Sequence, residues 1–123
     1  MDFKKIEFYK LNGHAVEPVD DLIEWGNIMK QTNRHVAETF IEGNRISTIF
    51  LGIDHNYSGY GPPILFETMV FIEGEGEWQE RCSTWDEAEK MHEAMCQKVR
   101  NHLIAAGMVA NQIIDSFFKI NHQ

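Results

Sequence analysis

The residues best equipped for chemistry fall between two apolar runs, in Asp54-His55-Asn56-Tyr57 and Gly59-Tyr60-Gly61-Pro62-Pro63. Polar and aromatic groups at the end of a rigid sheet are a common way to present a binding site. Asp and His are metal-ligand types. Adjacent residues on an extended chain point to opposite sides, however, so a third ligand would have to come from elsewhere, such as Glu67 or His35. The same loop can do something simpler. Asp54 and Asn56 can cap its backbone, as Asx side chains do, while His55 and Asn56 offer hydrogen bonds to a nucleotide. Gly59 to Pro63 leads into a strand and not a helix, so it lacks the geometry of a phosphate-cradling turn. Tyr57 and Tyr60 can stack on a base or pack on the surface.

A second group lies on the strands. Glu67, Phe71, Gln79 and Arg81 share one face if the glycine-rich turn 74–76 pairs Glu73 with Glu77. An aromatic platform beside an arginine can stack a base and clamp a phosphate. The alternative is an interface carrying a cross-strand Glu67–Arg81 ion pair. The chain has four arginines, Arg34, Arg45, Arg81 and Arg100, and the first three lie close to the sheet. His92 and Cys96 stand four apart on a helix, half of a zinc site without its other half. Ser47, Ser58, Ser83 and Ser116 lack a GxSxG elbow. Cys82 and Cys96 belong to no CxxC pattern and suit core positions.

The elements that position these residues follow from periodicity. Residues 5–11 and 14–17 form a hairpin around Asn12-Gly13. Pro18 suits the first turn of a helix over 18–30, with Asp20 and Asp21 at its positive end. Its apolar stripe is Val19, Leu22, Ile23, Gly26 and Met29. Strands follow at 35–42 and 45–53 around Gly43-Asn44, then the loop 54–63, then strands at 64–73 and 77–82. Thr84 and Glu87 form a capping box. The helix it starts carries Trp85, Ala88, Met91, Met95, Val99 and Leu103 to about residue 106. Gly107 ends it, and a second helix spans about 108–120.

The fold class expected is α+β: one domain over 1–123, an antiparallel β-meander packed with C-terminal helices and one N-terminal helix. The second sheet face shows Leu65, Glu67, Met69, Phe71, Gln79 and Arg81. Such a mixed face, and the broad apolar stripe of the last helix, point to a homodimer or larger homo-oligomer.

Hydrophobic residues make up 43% of 123, enough for a core and against disorder. The net charge of −8, from 19 acids against 11 bases, disfavours long nucleic acid. A small anionic ligand in a local arginine pocket remains compatible. No apolar run reaches the roughly 20 residues that span a bilayer, and the N-terminus lacks an apolar signal core, so a cytoplasmic location is expected.

Over about residues 34–100, at TIFLGIDHN, GPPILFETMVF and TWDEAEKMHE, the chain resembles a group of small phage and prophage proteins. In length and in its sheet-then-helices plan it is also similar to the first type of Thoeris anti-defence sponge. The resemblance implies a phage protein acting in the infected bacterial cytoplasm. It would assemble as a homo-oligomer and hold a cyclic ADP-ribose-type or related cyclic nucleotide signal at the subunit interface without cleaving it. Bacterial TIR-based immunity would be silenced as a result. No cofactor and no metal are implied. The resemblance carries over no contact residue. From the faces and the loop, the candidate ligand-binding residues are Arg34, Arg45, His55, Asn56, Tyr60, Phe71, Gln79 and Arg81. The alternatives are a nucleotide hydrolase using Asp54, His55 and Glu67, and a protein-binding inhibitor module.

Overall fold

The computed structural model describes residues 6–107, and the helix expected over 108–120 lies outside them. The architecture is α+β. A two-stranded hairpin of β1 (Phe8–Asn12) and β2 (Ala15–Val19) leads into α1 (Leu22–Lys30). A four-stranded antiparallel meander follows, of β3 (His35–Ile41), β4 (Asn44–Phe50), β5 (Phe66–Ile72) and β6 (Gly76–Cys82), in sheet order β3-β4-β5-β6. α2 (Trp85–Ala105) closes it. No helix among the described residues is long and apolar enough to cross a membrane.

α2 lies across one face of the meander. Its start is the expected capping box: Glu87 N–H donates to Thr84 Oγ1 at 3.2 Å, and Thr84 N–H donates to Glu87 Oε1 at 3.0 Å. Its buried stripe is Ala88, His92, Met95, Cys96, Val99 and Leu103. Met95, Cys96, Val99 and Leu103 pack with Ile46, Val70 and Ile72 of the sheet. A second cluster, Phe50, Leu65, Phe66 and Ala88, joins this layer to the hairpin through Tyr9, Leu11 and Val16.

Several local expectations shift. The first two hairpin turns each sit one residue away from where the sequence suggested. Asn12 pairs with Ala15, so the first turn is Gly13-His14, with Gly13 at φ +62°. Positive φ at the first central residue alone is the II′ pattern. Ile41 pairs with Asn44, so the second turn is Glu42-Gly43, with φ +48° and +81°. That is the I′ sign pattern, and it places a glutamate in a conformation glutamates rarely adopt. Asn44 steadies it, its side-chain amide donating to Ile41 O at 3.1 Å. At the third turn Ile72 pairs with Gly76, and Glu73 does not pair with Glu77. The parity of the register is the same either way, so the face assignment stands.

Pro18 lies in β2, opposite Tyr9, and does not start α1. Asp21 is the N-cap, its Oδ1 accepting from the amides of Ile23 and Glu24. The apolar stripe of α1 is also not the one expected. Leu22 and Ile23 are exposed. Met29 turns inward as expected, and Trp25 joins it in their place, its Nε1–H donating to Tyr9 O at 2.9 Å. A tryptophan packed on Phe8 at 4.9 Å between ring centroids outweighs two aliphatic side chains in fixing the helix roll.

β4 ends at Phe50 and not at 53. Gly52 has φ +80°, and a Cβ there would stand 2.7 Å from Met29 Cε. Beyond it the chain serves the hairpin: Tyr9 N–H donates to Gly52 O at 2.8 Å and Asp54 N–H to Glu7 O at 3.1 Å. This seam joins the small sheet to the large one.

Candidate functional site

Alternation divides the meander into two faces. The face under α2 holds a polar node inside the core. His92, 2% exposed, places Nε2 2.8 Å from Thr39 Oγ1 and Nδ1 2.7 Å from Thr48 Oγ1. Thr48 Oγ1 lies 2.5 Å from Thr68 Oγ1. Three strands and the helix are thereby tied through one imidazole. Burial lowers the pKa of His92 below the ordinary histidine value, with Glu93 pulling weakly the other way. Both ring nitrogens are engaged by hydroxyls, so the His92–Cys96 pair is used for structure and does not present a half-site for a metal. Among the described residues no three His, Cys, Asp or Glu side chains are grouped to hold one.

The opposite face is the open one. β3 contributes Glu38 and Phe40, β4 Arg45, Ser47 and Ile49, β5 Glu67, Met69 and Phe71, and β6 Glu77, Gln79 and Arg81. Phe40 and Phe71 are 63% and 65% exposed, unusual for aromatic rings on a sheet. Between β4 and β5 runs a groove of ≈ 330 Å³ lined by Arg45, Ser47, Ile49, Glu67, Met69 and Phe71. Glu67 is 8% exposed. Its Oε2 accepts from Arg81 Nε–H at 3.0 Å and from the Gln79 side-chain amide. Register explains the triad: Arg81 stands directly across from Glu67, and Gln79 across from Met69. Arg45 Nη2 donates to Glu38 Oε2 at 2.9 Å in a more exposed pair.

Of the candidate residues, the structure gathers Arg45, Phe71, Gln79 and Arg81 on this face. Arg34, His55, Asn56 and Tyr60 do not line the groove. Arg34 is committed to the backbone, donating from Nε to Phe50 O at 2.9 Å and from Nη2 to Leu51 O at 3.2 Å. It holds the end of β4 in place of a ligand. Asn56 is buried and builds its own loop. Its Nδ2 donates to Tyr60 O and Pro62 O at 2.6 and 2.9 Å, and its Oδ1 accepts from Ser58 N–H and Oγ–H. Asp54 Oδ1 accepts from Asn56 N–H and Ile64 N–H at 2.7 and 2.9 Å, closing the loop at its mouth. These are the Asx-cap roles. His55 Nδ1–H donates to Ile53 O at 2.7 Å. Tyr60 is 85% exposed at the loop tip. Asp54 and His55 thus sit in the loop, while Glu67 lines the groove without them.

Sequence reasoning placed Thr68 on the core face but missed the node it forms with Thr39, Thr48 and His92. Thr39, Thr48 and Thr68 fall at alternate, inward positions of three strands, and His92 falls on the helix stripe. Polar residues at four core-facing positions were the available signal. Ser47 and Ile49, which wall the groove, became visible only once β4 was in register with β5.

No protein-family model, curated protein or solved structure matches the chain.

Proposed function

We propose that this chain is a binding protein that performs no reaction on its ligand, and that the open-face groove holds a small nucleotide. The likeness in length and in sheet-then-helices plan to the first type of Thoeris anti-defence sponge suggests the class: a cyclic ADP-ribose-type or related cyclic nucleotide signal, sequestered in the infected bacterial cytoplasm to silence TIR-based immunity. The observation that carries the reading is the groove itself. Phe71, Met69 and Ile49 give it apolar walls on which a base can stack, and Arg45 stands at its rim. Surface pairs such as Arg45–Glu38 are worth only about 0–1 kcal/mol, so a phosphate can displace Glu38 from the guanidinium at little cost. The Glu67–Arg81 pair is more buried and stays intact, which makes Arg45 the anion contact and Arg81 the support of Glu67.

One observation favours a second reading. Phe40 and Phe71 flank Arg45, and both face arginines are matched by glutamates, a charge-balanced and partly apolar surface suited to another protein.

The test is retention followed by release. Protein incubated with cyclic ADP-ribose isomers and cyclic oligonucleotides is washed, heat-denatured, and its supernatant weighed by mass spectrometry. Intact ligand is expected from the wild type. Arg45→Ala should retain roughly tenfold less or lower still, the scale of one charge-assisted hydrogen bond. A chemically changed product would make the protein an enzyme. An empty supernatant across the panel would transfer the face to a protein partner.

A further inference from the structure

β6 is the last strand of the meander, and its outer edge meets no strand among the described residues. Backbone alternation fixes what that edge presents. Cys82 O accepts from Leu65 N–H at 3.0 Å, on the β5 side. Gly76, Trp78 and Glu80 share its orientation, so the N–H and C=O groups of Glu77, Gln79 and Arg81 point outward. The side chains of those three residues all lie on the open face, across from Phe71, Met69 and Glu67.

We propose that this edge is the docking surface for a second copy of the chain, β6 against β6, antiparallel about a two-fold axis at Gln79. In this register Gln79 faces Gln79, and Glu77 of each copy faces Arg81 of the other. Every outward N–H and C=O of the three residues then finds a backbone partner. A Glu–Arg pair forms on either side of the axis, with Arg81 placed between Glu67 of its own copy and Glu77 of the other. On the opposite face Trp78 meets Glu80 of the other copy. Lys98 Nζ already lies 4.4 Å over Trp78, within the same layer as that carboxylate.

The occupant follows from this self-complementarity. The other edge does not have it: a symmetric β3 pairing centred on Glu38 sets like charges against each other, and the ladder of β3 shifts between His35 and Ala37. The helices leave room. α2 touches all four strands and so lies over the middle of its sheet. At about 4.8 Å per strand, the two α2 axes stand roughly 19 Å apart, against the roughly 8–10 Å that packed helices need. The product is a continuous sheet of doubled width, with both grooves on one surface and Arg81 near its centre. It is independent of what the groove binds.

The measurement is sedimentation equilibrium over a wide concentration range, with circular dichroism melting as the folding control. A dimer is expected for the wild type. Glu77→Arg sets like charges across the axis and should raise the dimer dissociation constant about tenfold or more. Gln79→Pro removes an outward N–H without touching the β5 ladder and should yield a folded monomer. Gln79→Cys should cross-link under mild oxidation, because facing Cα atoms in a hydrogen-bonded pair stand about 5.5 Å apart, within disulfide reach. A wild type that stays monomeric at every concentration would overturn the proposal. So would a dimer that is indifferent to Gln79→Pro and that the Gln79→Cys substitution fails to cross-link.

Discussion

His92→Leu is the perturbation that most directly tests the account of the core. Leucine has roughly the volume of histidine and no polar atom, so the cavity term is small. What disappears is the pair of hydrogen bonds to Thr39 and Thr48, at 2.8 and 2.7 Å. Thr48 keeps Thr68. Thr39, half-buried, loses its imidazole partner. Two bonds at about 1 kcal/mol each, with up to about 2 kcal/mol for the stranded hydroxyl, give a loss of roughly 2–4 kcal/mol. That is a large part of a typical stability of about 5–15 kcal/mol. The pH dependence supplies the sharper readout. Burial lowers the pKa of His92 in the folded chain, so the unfolded chain binds the extra proton first as pH falls. The stability tied to a neutral His92 is complete above about pH 6.5. It erodes as pH drops from there towards the lowered folded value. The leucine variant has no such term. Urea unfolding of both proteins from about pH 8 to pH 5, at one fixed concentration, should show a gap that is widest at the alkaline end and narrows below about pH 6.5. A gap constant across that range would refute the claim that His92 is folded in its neutral form.

Three smaller perturbations probe the loops and the helix start. Gly52→Ala combines φ +80° with a Cβ 2.7 Å from Met29 Cε, and should lower stability by about 1–3 kcal/mol; the terminal methyl of Met29 can swing aside, so most of the loss measured in a thermal melt comes from the backbone. Asn56→Ala removes the bonds to Tyr60 O and Pro62 O, and hydrogen exchange at 57–61 should accelerate sharply while the amides of β4 and β5 exchange as before. The Cys82 thiol is pushed up to about 11 by burial and then by Glu87, against a backbone hydrogen bond at Thr84 that acts in the opposite direction. Its alkylation at about pH 8 should run roughly a hundredfold slower than that of a free cysteine; a rate equal to free cysteine would contradict that environment.

Much of the fold was legible in the sequence because the signals are local. The Thr84–Glu87 capping box, the break at Gly107 and the alternation of Phe66, Thr68, Val70 and Ile72 each depend on neighbours a few residues away. Parity made the faces of β5 and β6 predictable even though the turn between them was placed two positions off in register. The errors lie where two local signals competed. Pro18 serves equally well in a helix start and in a short strand, and only the pairing with Tyr9 decides for the strand. Leu22 and Ile23 look like an apolar stripe, but the roll of α1 is set by Trp25 reaching the backbone of β1, a contact 16 residues away.

Periodicity along the chain was enough to separate strands from helices and to put Glu67, Phe71, Gln79 and Arg81 on one face, because the periods of two and 3.6 are properties of the backbone. What the polar residues do was settled only in three dimensions. Arg34 and Asn56 were candidate ligand contacts, and Asp54 and Asn56 equally candidates to cap their loop; the folded chain spends all three on backbone carbonyls and amides. His92 looked like half of a zinc site with Cys96, and three threonines from separate strands make it a polar node inside the core. Burial and hydrogen-bond satisfaction are sums over the whole chain, so no local pattern could have assigned them.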